Sequence, residues 1–498
     1  MFGSWIPHRD YVKKLLLNLH FHCLFDRNRV FQMEKSIMKL IHLDLDKSLS
    51  ILRPLYSNTG TPSREQAGII RSLVLMLDQG YCSIPKWAEK VANDRLLYDI
   101  CGFDGKAPSA SSYYDFIDRL WKGSKEPEIR RKKKIRSCRS KPRQKYKKGK
   151  KLPPKHKGIT KKLVEKTLSG RLRSSRREEI LQEFFSRLIV DTSAQLGLIG
   201  NSQALSIAGD GSPYYSGSSH YGVKVCDCKS KGIYNCKCHR RYSDPDATWG
   251  WDSYRECYFY GDTLYMFTAT EAKYDLPIYI RIVQAKRHDS STTIFAMQEF
   301  RQLFPQFTVK DALFDGAMDN LPTYQLCRHW GIRPFIPLDD NSKLTEDNLP
   351  QGVVGFDNKG RPLCLGCIPY VNWGNCGDKG TKYRCWFAVN GKQAPCCCTG
   401  SHYGKTVYIK SDDNPRLFTP VPRGTDAFKE KLKQRSGAER SNKRVFEDYK
   451  VEGGKMRSSR QRYFRAVLAA INIHLDAWYW HIDVSLAELL ENTMQQCA

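Results

Sequence analysis

The chain has 498 residues, 41% of them hydrophobic and 27% charged, a composition typical of a globular protein with more than one domain. Lys and Arg number 81 against 52 Asp and Glu, and the net charge of +29 predicts a polyanionic partner, either nucleic acid or an anionic membrane surface. No apolar run approaches the ~18–20 residues that span a bilayer, which argues against a membrane protein, and nothing indicates export. We therefore expect a cytoplasmic protein whose 18 cysteines are reduced thiols, so that cysteine clusters indicate metal sites.

Residues 1–125 are predicted to form a domain of short helices. The segment Glu65–Gln79 places apolar side chains at helical spacing, and Ser83 followed by Pro85 is a helix start signal. Several short helices with tight connections are equally consistent with a helix-turn-helix-like DNA-binding module and with a plain helical bundle.

The positive charge is concentrated in a predicted linker over residues 126–175. Between Arg130 and Lys162 there are 18 Lys or Arg in 33 residues and no acid, whereas the rest of the chain carries the remaining +11. Such a run is commonly a solvated linker, and it is equally suited to contact phosphates. The two interpretations are compatible, because a disordered basic segment can become ordered on DNA.

The order of strands and helices after the linker predicts an α/β fold, a mixed sheet flanked by helices. Strand-like runs begin at Leu205 and recur at Thr263–Thr270, Pro277–Gln284, Ala312–Phe314 and Ile332–Pro337, with a helix predicted over His288–Gln302. These elements make residues 176–339 the first part of a core. Residues 340–425, rich in Gly, Pro and Cys, are an inserted subdomain, and residues 426–498 complete the core with helices, including a long one over Arg462–Glu488.

Three acidic residues occupy positions that suit a site for divalent cations. Asp210 and Asp315 each end an apolar run and precede Gly, and Glu439 shares a predicted helix face with Arg435 and Lys443. Two aspartates on neighbouring strands and a facing helical carboxylate can hold two Mg²⁺ ions, or Mn²⁺ in their place, about 3.5–4 Å apart for phosphoryl transfer. The alternatives are ordinary Asp-Gly turns and a surface salt-bridge ladder, and other acids compete for the role: Asp262, Asp289, Asp319 and Glu447.

The motifs around these acids resemble those of the DDE transposases of bacterial insertion sequences. The resemblance runs from about residue 45 to 475. It is carried by Arg53-Pro-Leu-Tyr-Ser, Cys101-Gly-Phe, Ala208-Gly-Asp-Gly-Ser, Arg287-His-Asp-Ser, Phe314-Asp-Gly-Ala-Met-Asp-Asn and Ile332-Arg-Pro-Phe-Ile. The resemblance implies an RNase H-like core in which Asp210 and Asp315 are the first two catalytic acids.

The family's last acid lies on a helix within a Tyr-x2-Arg-x3-Glu-x6-Lys signature. Arg435 and Glu439 match its Arg and Glu, whereas Leu432 and Phe446 replace its Tyr and Lys. Substitutes for the lysine lie nearby, at Lys443 and Arg444. The resemblance implies that Glu439 is the third catalytic acid and that Arg435, Lys443 and Arg444 contact DNA phosphates. The 123 residues between Asp315 and Glu439 suit the family's habit of inserting a subdomain before this helix.

Two cysteine groups suggest structural zinc. Cys226 and Cys228 mirror Cys236 and Cys238 across a segment with Gly232 near its middle, which predicts a hairpin that directs four thiols to one face. His239 is an alternate ligand, and cysteine-rich strands without metal are the alternative. A second group in the insertion contains Cys364, Cys367, Cys376, Cys385 and Cys396-Cys-Cys, and which of its members would bind zinc stays open.

These features together predict a DNA transposase associated with the nucleoid. It would bind the terminal inverted repeats of its element as a dimer, cleave double-stranded DNA and join the 3′ end to target DNA. Trp249 and Trp251 are expected to pack in the core, and stacking of one of them on an unpaired base is the alternative. An RNase H-like nuclease without strand transfer is one alternative function, and a catalytically inactive, zinc-stabilised DNA-binding protein is another.

Overall fold

A computed structural model describes most of the chain outside the basic linker. The described residues are 1–122, 135–136, 158–172, 179–238, 240–338, 349–357, 359–393, 401–410 and 415–497. Most of the basic run, His239 and residues 396–398 therefore lie outside the described residues. Within the described part of the chain, no helix combines the length and the apolar character needed to cross a bilayer.

Short helices pack together in the N-terminal part. Asp94 caps one of them by accepting a hydrogen bond from the Leu97 amide, and Gly102 ends the same helix in a left-handed conformation. The segment Gln66–Leu77 is buried on all sides, so its helix lies at the centre of the group. The helices are α1 His8–Gln32, α2 Glu34–His42, α3 Leu49–Leu52, α4 Gln66–Asp78, α5 Ile84–Asn93, α6 Arg95–Cys101 and α7 Ala110–Lys122.

A mixed α/β region follows. It contains β1 Ile135–Arg136, α8 Ile159–Leu168, α9 Glu179–Phe185, α10 Asp191–Gln195, β2 Leu205–Tyr215, β3 Val223–Lys224, β4 Arg240–Arg241, β5 Thr248–Asp252, β6 Cys257–Ala269, β7 Leu276–Gln284, α11 Asp289–Leu303, β8 Val309–Leu313, α12 Leu321–His329 and β9 Arg333–Phe335. The predicted strands and the helix between them are confirmed.

Six of these strands form one mixed sheet. Strand β2 pairs antiparallel with β6 on one side and parallel with β8 on the other, and β9 pairs parallel with β8. The long strand β6 pairs with β5 along its first half and with β7 along its second half. The sheet order is therefore β7-β6-β2-β8-β9, with β5 extending the β7 edge, and β2 lies at the centre.

Helices cover both faces of this sheet. On one face, Tyr265 of β6 bonds Thr293 of α11 through their hydroxyl groups at 2.7 Å. On the opposite face, Ala208 and Leu313 pack against Ala438 in a small apolar cluster. Because neighbouring residues of a strand point to opposite faces, Asp210 shares the face of Ala208, on which Ala438 packs.

The segment after β9 contains small sheets before the chain becomes helical again. Its elements are β10 Gly355–Phe356, β11 Pro362–Leu363, β12 Val371–Asn375, β13 Thr381–Arg384, α13 Trp386–Val389 and β14 Thr406–Ile409, followed by α14 Asp426–Lys433, α15 Ser436–Lys443, α16 Ser459–His481 and α17 Leu486–Cys497. Strands β12, β13 and β14 form an antiparallel sheet with its own apolar core, separate from the main one.

The prediction of one helix over Arg462–Glu488 is wrong, because the chain leaves helix α16 after His481 and starts α17 at Leu486. The cause is a capping box, in which the Glu488 carboxylate accepts from the Ser485 amide and the Ser485 hydroxyl accepts from the Glu488 amide. Helix α16 packs against β7 and also against α2 and α4, so the sheet and the N-terminal helices share one apolar core.

Candidate active site

The first two candidate acids lie at the same level along adjacent parallel strands, although Asp210 does not end its strand as predicted, because β2 continues to Tyr215. In the register of β2 with β8, Ala208 pairs with Leu313, so Asp210 and Asp315 each lie two residues beyond this pair. Asp210 is still within β2, where it faces Met266 of β6. Asp315 follows β8 and accepts a hydrogen bond of 3.1 Å from the Ala317 amide, which caps a short 3₁₀ turn. The two carboxylates are thereby brought side by side, at the level where β8 ends.

Helix α15 brings the third acid near these two carboxylates because it is anchored to the turn between β6 and β7. Arg440 donates to Asp275 Oδ2 at 2.7 Å, and the Ser441 hydroxyl donates to the Asp275 carbonyl oxygen at 2.9 Å. Gly437 allows this contact, since a Cβ there would lie only 2.4 Å from Asp275 Oδ1. Glu439, between these anchors, is half exposed and accepts from Arg435 at 2.6 Å.

The electrostatics of Asp210 show that these groups act on one another. Burial raises the pKa of Asp210 to about 6, the Arg435 guanidinium opposes this shift, and the carboxylates of Asp315 and Glu439 add to it. Asp315, Glu439 and Arg435 therefore lie near enough for their charges to act on Asp210. The roles of these four residues in metal binding and catalysis stay predictions.

Asn442 was missed by sequence reasoning and lies at the centre of the site. Its Nδ2 donates a hydrogen bond of 2.8 Å to Asp210 Oδ2, and its Oδ1 is buried without a partner among the described residues. An asparagine in a basic helix carries no motif, so no sequence signal could have found it. A buried oxygen without a donor is a favourable position for a cation or its bound water.

Asp289 is a fourth acid near the same carboxylates. It is the first residue of α11, and a Cβ on Gly211 would lie 2.7 Å from Asp289 Oδ1, so only glycine fits beside it on β2. Burial raises the pKa of Asp289 to about 7, and the charges of Asp315 and Asp210 add to the shift. No ion pair to Asp289 occurs within the described residues.

The other competing acids are engaged elsewhere. Asp319 pairs with Arg416 at 2.7 Å, Asp262 pairs with the fully buried Arg462, and Glu447 pairs with Lys443 at 3.7 Å. Lys443 is exposed on α15 beside this partner. Arg444 is largely buried, and its guanidinium donates to the carbonyl oxygens of Tyr274 and Asp275, which ties the helix to the same turn as Arg440.

The candidate carboxylates do not form a compact ligand cluster among the described residues. Among the described residues, the only group of three or more acid, histidine or cysteine ligand atoms within 4.8 Å of one another consists of cysteines. The acids are therefore more widely spaced than a cage for a single ion.

The cysteine group is formed by Cys226, Cys228, Cys236 and Cys238. The sulfur atoms of Cys226 and Cys236 lie 3.5 Å apart, as do those of Cys228 and Cys238, and all four lie within 4.8 Å of one another. Tetrahedral Zn–S bonds of about 2.3 Å place sulfur atoms at about this spacing. The group could thus bind a metal such as zinc.

The local structure of this cysteine group differs from the predicted hairpin. The cysteines lie in turns between the two-residue strands β3 and β4, which pair antiparallel. Turns bring the thiols together. In them the Gly232 amide donates a hydrogen bond to the Lys229 carbonyl oxygen, and the Ile233 amide donates one of 2.8 Å to the Cys228 carbonyl oxygen. The Cys228 amide and the Cys236 thiol lower the pKa of Cys226 to about 7, so Cys226 readily becomes a thiolate. Hydrogen bonds with Cys238 and Cys226 instead raise the pKa of Cys228 to about 12.

The second cysteine group is not drawn together within the described residues. Cys364 and Cys385 are buried, whereas Cys367 and Cys376 are exposed, and no metal-sized cluster forms among these four. The Cys367 amide donates to the Cys364 carbonyl at 2.8 Å in a tight turn.

Trp249 and Trp251 are half exposed on β5, and the Trp249 ring lies 4.9 Å from that of His220.

No protein-family model matches this chain, and no curated protein matches its sequence.

Proposed function

We propose that the protein is a DNA transposase of the DDE class with an RNase H-like core. The proposal rests mainly on the positions of Asp210 and Asp315, each two residues beyond the same paired position of the adjacent parallel strands β2 and β8. Glu439 faces them from α15. The order of three antiparallel strands followed by two parallel ones supports the RNase H-like assignment. The net charge of +29 supports DNA as the substrate.

In this proposal Asp210, Asp315 and Glu439 would hold two Mg²⁺ ions, with Mn²⁺ as a substitute. When bound, such ions favour deprotonation of an attacking water or 3′-hydroxyl and stabilise the leaving oxygen. In cleavage, the oxygen of a water molecule forms a bond to the scissile phosphorus as the bond between this phosphorus and the 3′ oxygen breaks. In joining, the freed 3′-hydroxyl forms a bond to a target phosphate as the bond between that phosphate and the target's 3′ oxygen breaks, which releases a 3′-hydroxyl on the target strand. No covalent enzyme intermediate is needed.

The surrounding side chains would position the reacting groups. Arg435 would contact a phosphate oxygen near the scissile bond while it holds Glu439, and Lys443 would neutralise the neighbouring DNA backbone. Asn442 would fix the Asp210 carboxylate in its orientation. The N-terminal helices and the basic linker would hold the terminal repeats, and pairing of two ends would require a dimer on DNA in the nucleoid.

The cysteine group around Cys226 would hold a structural zinc ion. Four thiolates this close repel one another, and a bound Zn²⁺ removes that repulsion and fixes turns that have few other contacts. The chemistry of this group is structural, because four cysteines leave no open position for substrate.

The test is cleavage and joining with DNA that carries the repeats flanking the gene. With Mg²⁺ or Mn²⁺ the protein should nick this DNA and yield strand-transfer products, and Asp210→Asn should abolish both while binding persists. Cleavage without strand transfer would favour the nuclease, and an unchanged biological activity of Asp315→Ala would favour the inactive DNA-binding protein. Loss of binding together with cleavage in Asp210→Asn would count against the assignment.

A further inference from the structure

The outer face of the inserted sheet carries aromatic rings and cations in alternating order. The Arg384 guanidinium lies 4.2 Å from the centre of the Trp373 ring and 3.6 Å from that of Tyr403. Lys382 Nζ lies 4.8 Å from the centre of the Tyr403 ring and 6.0 Å from that of Tyr408. We call these five side chains the stacked surface.

Strand alternation separates the stacked surface from the core of the subdomain. Tyr383 of β13 is buried with Val407 and Ile409 of β14, so Lys382 and Arg384 point to the opposite face. A sheet with one buried face usually carries polar side chains on the other. Here the outer face instead exposes rings, since Trp373, Tyr403 and Tyr408 are 42–48% exposed.

The cations of the stacked surface have no acidic partner among the described residues. Neither Lys382 nor Arg384 forms an ion pair there; Lys382 donates to the Tyr403 hydroxyl at 2.7 Å and Arg384 to the Tyr403 carbonyl at 2.8 Å. Arg384 is only 8% exposed, and its Nε is buried with no partner in that part of the chain. Two aromatic rings and one carbonyl oxygen are therefore the contacts that stabilise this guanidinium, and no carboxylate among the described residues adds to them.

We propose that the stacked surface binds single-stranded DNA. Unpaired bases offer ring faces that can stack on Trp373 and Tyr408, the rings at the two ends of the surface, while Lys382 neutralises a phosphate between them. The buried Arg384 holds the Trp373 and Tyr403 rings in place. A duplex hides its base faces inside its own stack and would meet only the cations. The choice of DNA rests on the proposed function, which makes DNA the substrate.

Photo-cross-linking of the full chain tests the location of binding. The probe is an unstructured, iodouracil-substituted oligodeoxynucleotide, used in EDTA so that no cleavage occurs. Cross-links are expected on peptides that contain Trp373, Tyr403 or Tyr408. Cross-links that map only to other parts of the chain would overturn the proposal.

Fluorescence anisotropy with the same strand tests the energetics, at raised salt to weaken the contribution of the basic linker. Each lost ring should weaken binding about five- to 150-fold, so Trp373→Ala combined with Tyr408→Ala should weaken it at least tenfold. Tyr408→Phe, which keeps the ring, and Trp480→Ala, which removes an exposed ring on α16, should bind as the wild type does. An unchanged affinity of the double variant would overturn the proposal, as would equally effective competition by duplex DNA or by single-stranded RNA.

Thermal unfolding of each variant shows whether the subdomain is still folded. If the double variant unfolds early, the cross-link map of the wild type decides alone. Cleavage by the wild type in Mg²⁺ is measured in parallel. Cross-links at the stacked surface without any cleavage would reject the transposase proposal only, and cleavage with cross-links elsewhere would reject the stacked surface only.

Discussion

Asn442 Nδ2 donates a hydrogen bond of 2.8 Å to Asp210 Oδ2, across the contact between helix α15 and strand β2. The same helix carries Glu439, three residues earlier, so one element both supplies an acid and orients another. Burial raises the pKa of Asp210 to about 6, and a donor to its ionised form opposes this shift. The hydrogen bond therefore helps to keep Asp210 ionised, and able to bind a cation, near neutral pH.

Replacement of Asn442 by Ala is expected to raise the pKa of Asp210 further, because the ionised carboxylate loses a donor. The acid limb of the pH–rate profile for DNA cleavage should move to higher pH by about one unit, which is about 1.4 kcal/mol. The rate should fall about twofold at pH 7 and about tenfold below pH 6, and it should recover at alkaline pH. Asn201→Ala, at an exposed position before β2, is the matched control. A lower rate with an unshifted pH profile would contradict the orienting role.

Asp289 is expected to destabilise the metal-free protein at high pH. Its pKa is raised to about 7 in the fold and returns to about 4 on unfolding, so the folded state binds the proton more tightly. Stability should therefore rise as pH falls from about 7 to about 4, and the full cost of ionisation is present above pH 7. At pH 8 in EDTA, Asp289→Asn should increase the free energy of unfolding by about 2 kcal/mol, which is seen as a higher thermal midpoint. Near pH 4 the variant should be no more stable than the wild type.

Divalent cations provide the control for this pH dependence. Mg²⁺ at pH 8 should stabilise the wild type more than Asp289→Asn, because the cation relieves repulsion that the variant already lacks. Equal thermal midpoints of the two proteins in EDTA at pH 8 would show that repulsion between Asp289 and the other acids does not destabilise the fold.

The regular elements of the site could be predicted because each has a local cause. Alternating apolar residues define β7, and His288 caps α11, so both follow from neighbours in the sequence. The bond between Asn442 and Asp210 joins residues 232 positions apart, and no local pattern reports such a contact. The four cysteines are brought together by turns, and the hydrogen bonds of a turn produce no periodic pattern in the sequence. The sequence pattern therefore predicted the correct four cysteines, but it placed them on hairpin strands instead of in turns. The break before α17, by contrast, was readable in Ser485 and Glu488.

Arg435 should matter for cleavage far more than for stability. Its bond to Glu439 spans one helical turn and is partly exposed, which limits its contribution to about 0.5 kcal/mol. Arg435→Ala should lower cleavage at least tenfold through loss of a phosphate contact, while the unfolding midpoint in urea hardly moves. Arg435→Lys should restore part of the rate, and Lys433→Ala, which removes an exposed cation of α14 paired with Glu430, should change neither quantity. A loss of stability that matches the loss of rate would assign Arg435 a structural role instead.

Zinc analysis of the purified full chain tests the cysteine group. Elemental analysis should find at least one zinc per chain, and Cys226→Ser should remove one equivalent and lower the thermal midpoint. Cys257→Ser, a change at an exposed cysteine outside the group, should leave both unchanged. A wild type without zinc after expression in zinc-containing medium would reject the site.

Arg462 is expected to be the side chain whose loss most destabilises the fold. It is fully buried on α16 and donates to Asp244 Oδ2 at 2.7 Å and, through Nε, to Asp262 Oδ2 at 2.9 Å. Arg462→Met would leave two carboxylates in the core without a cation, at a cost of about 3–5 kcal/mol, measured as the unfolding midpoint in urea. Arg457→Met, at an exposed position five residues earlier, should cost little. Adding Asp244→Asn and Asp262→Asn to Arg462→Met should restore part of the loss, since neutral amides need no cation. If the single variant unfolds within about 0.5 kcal/mol of the wild type, the buried ion cluster does not hold α16 to the sheet.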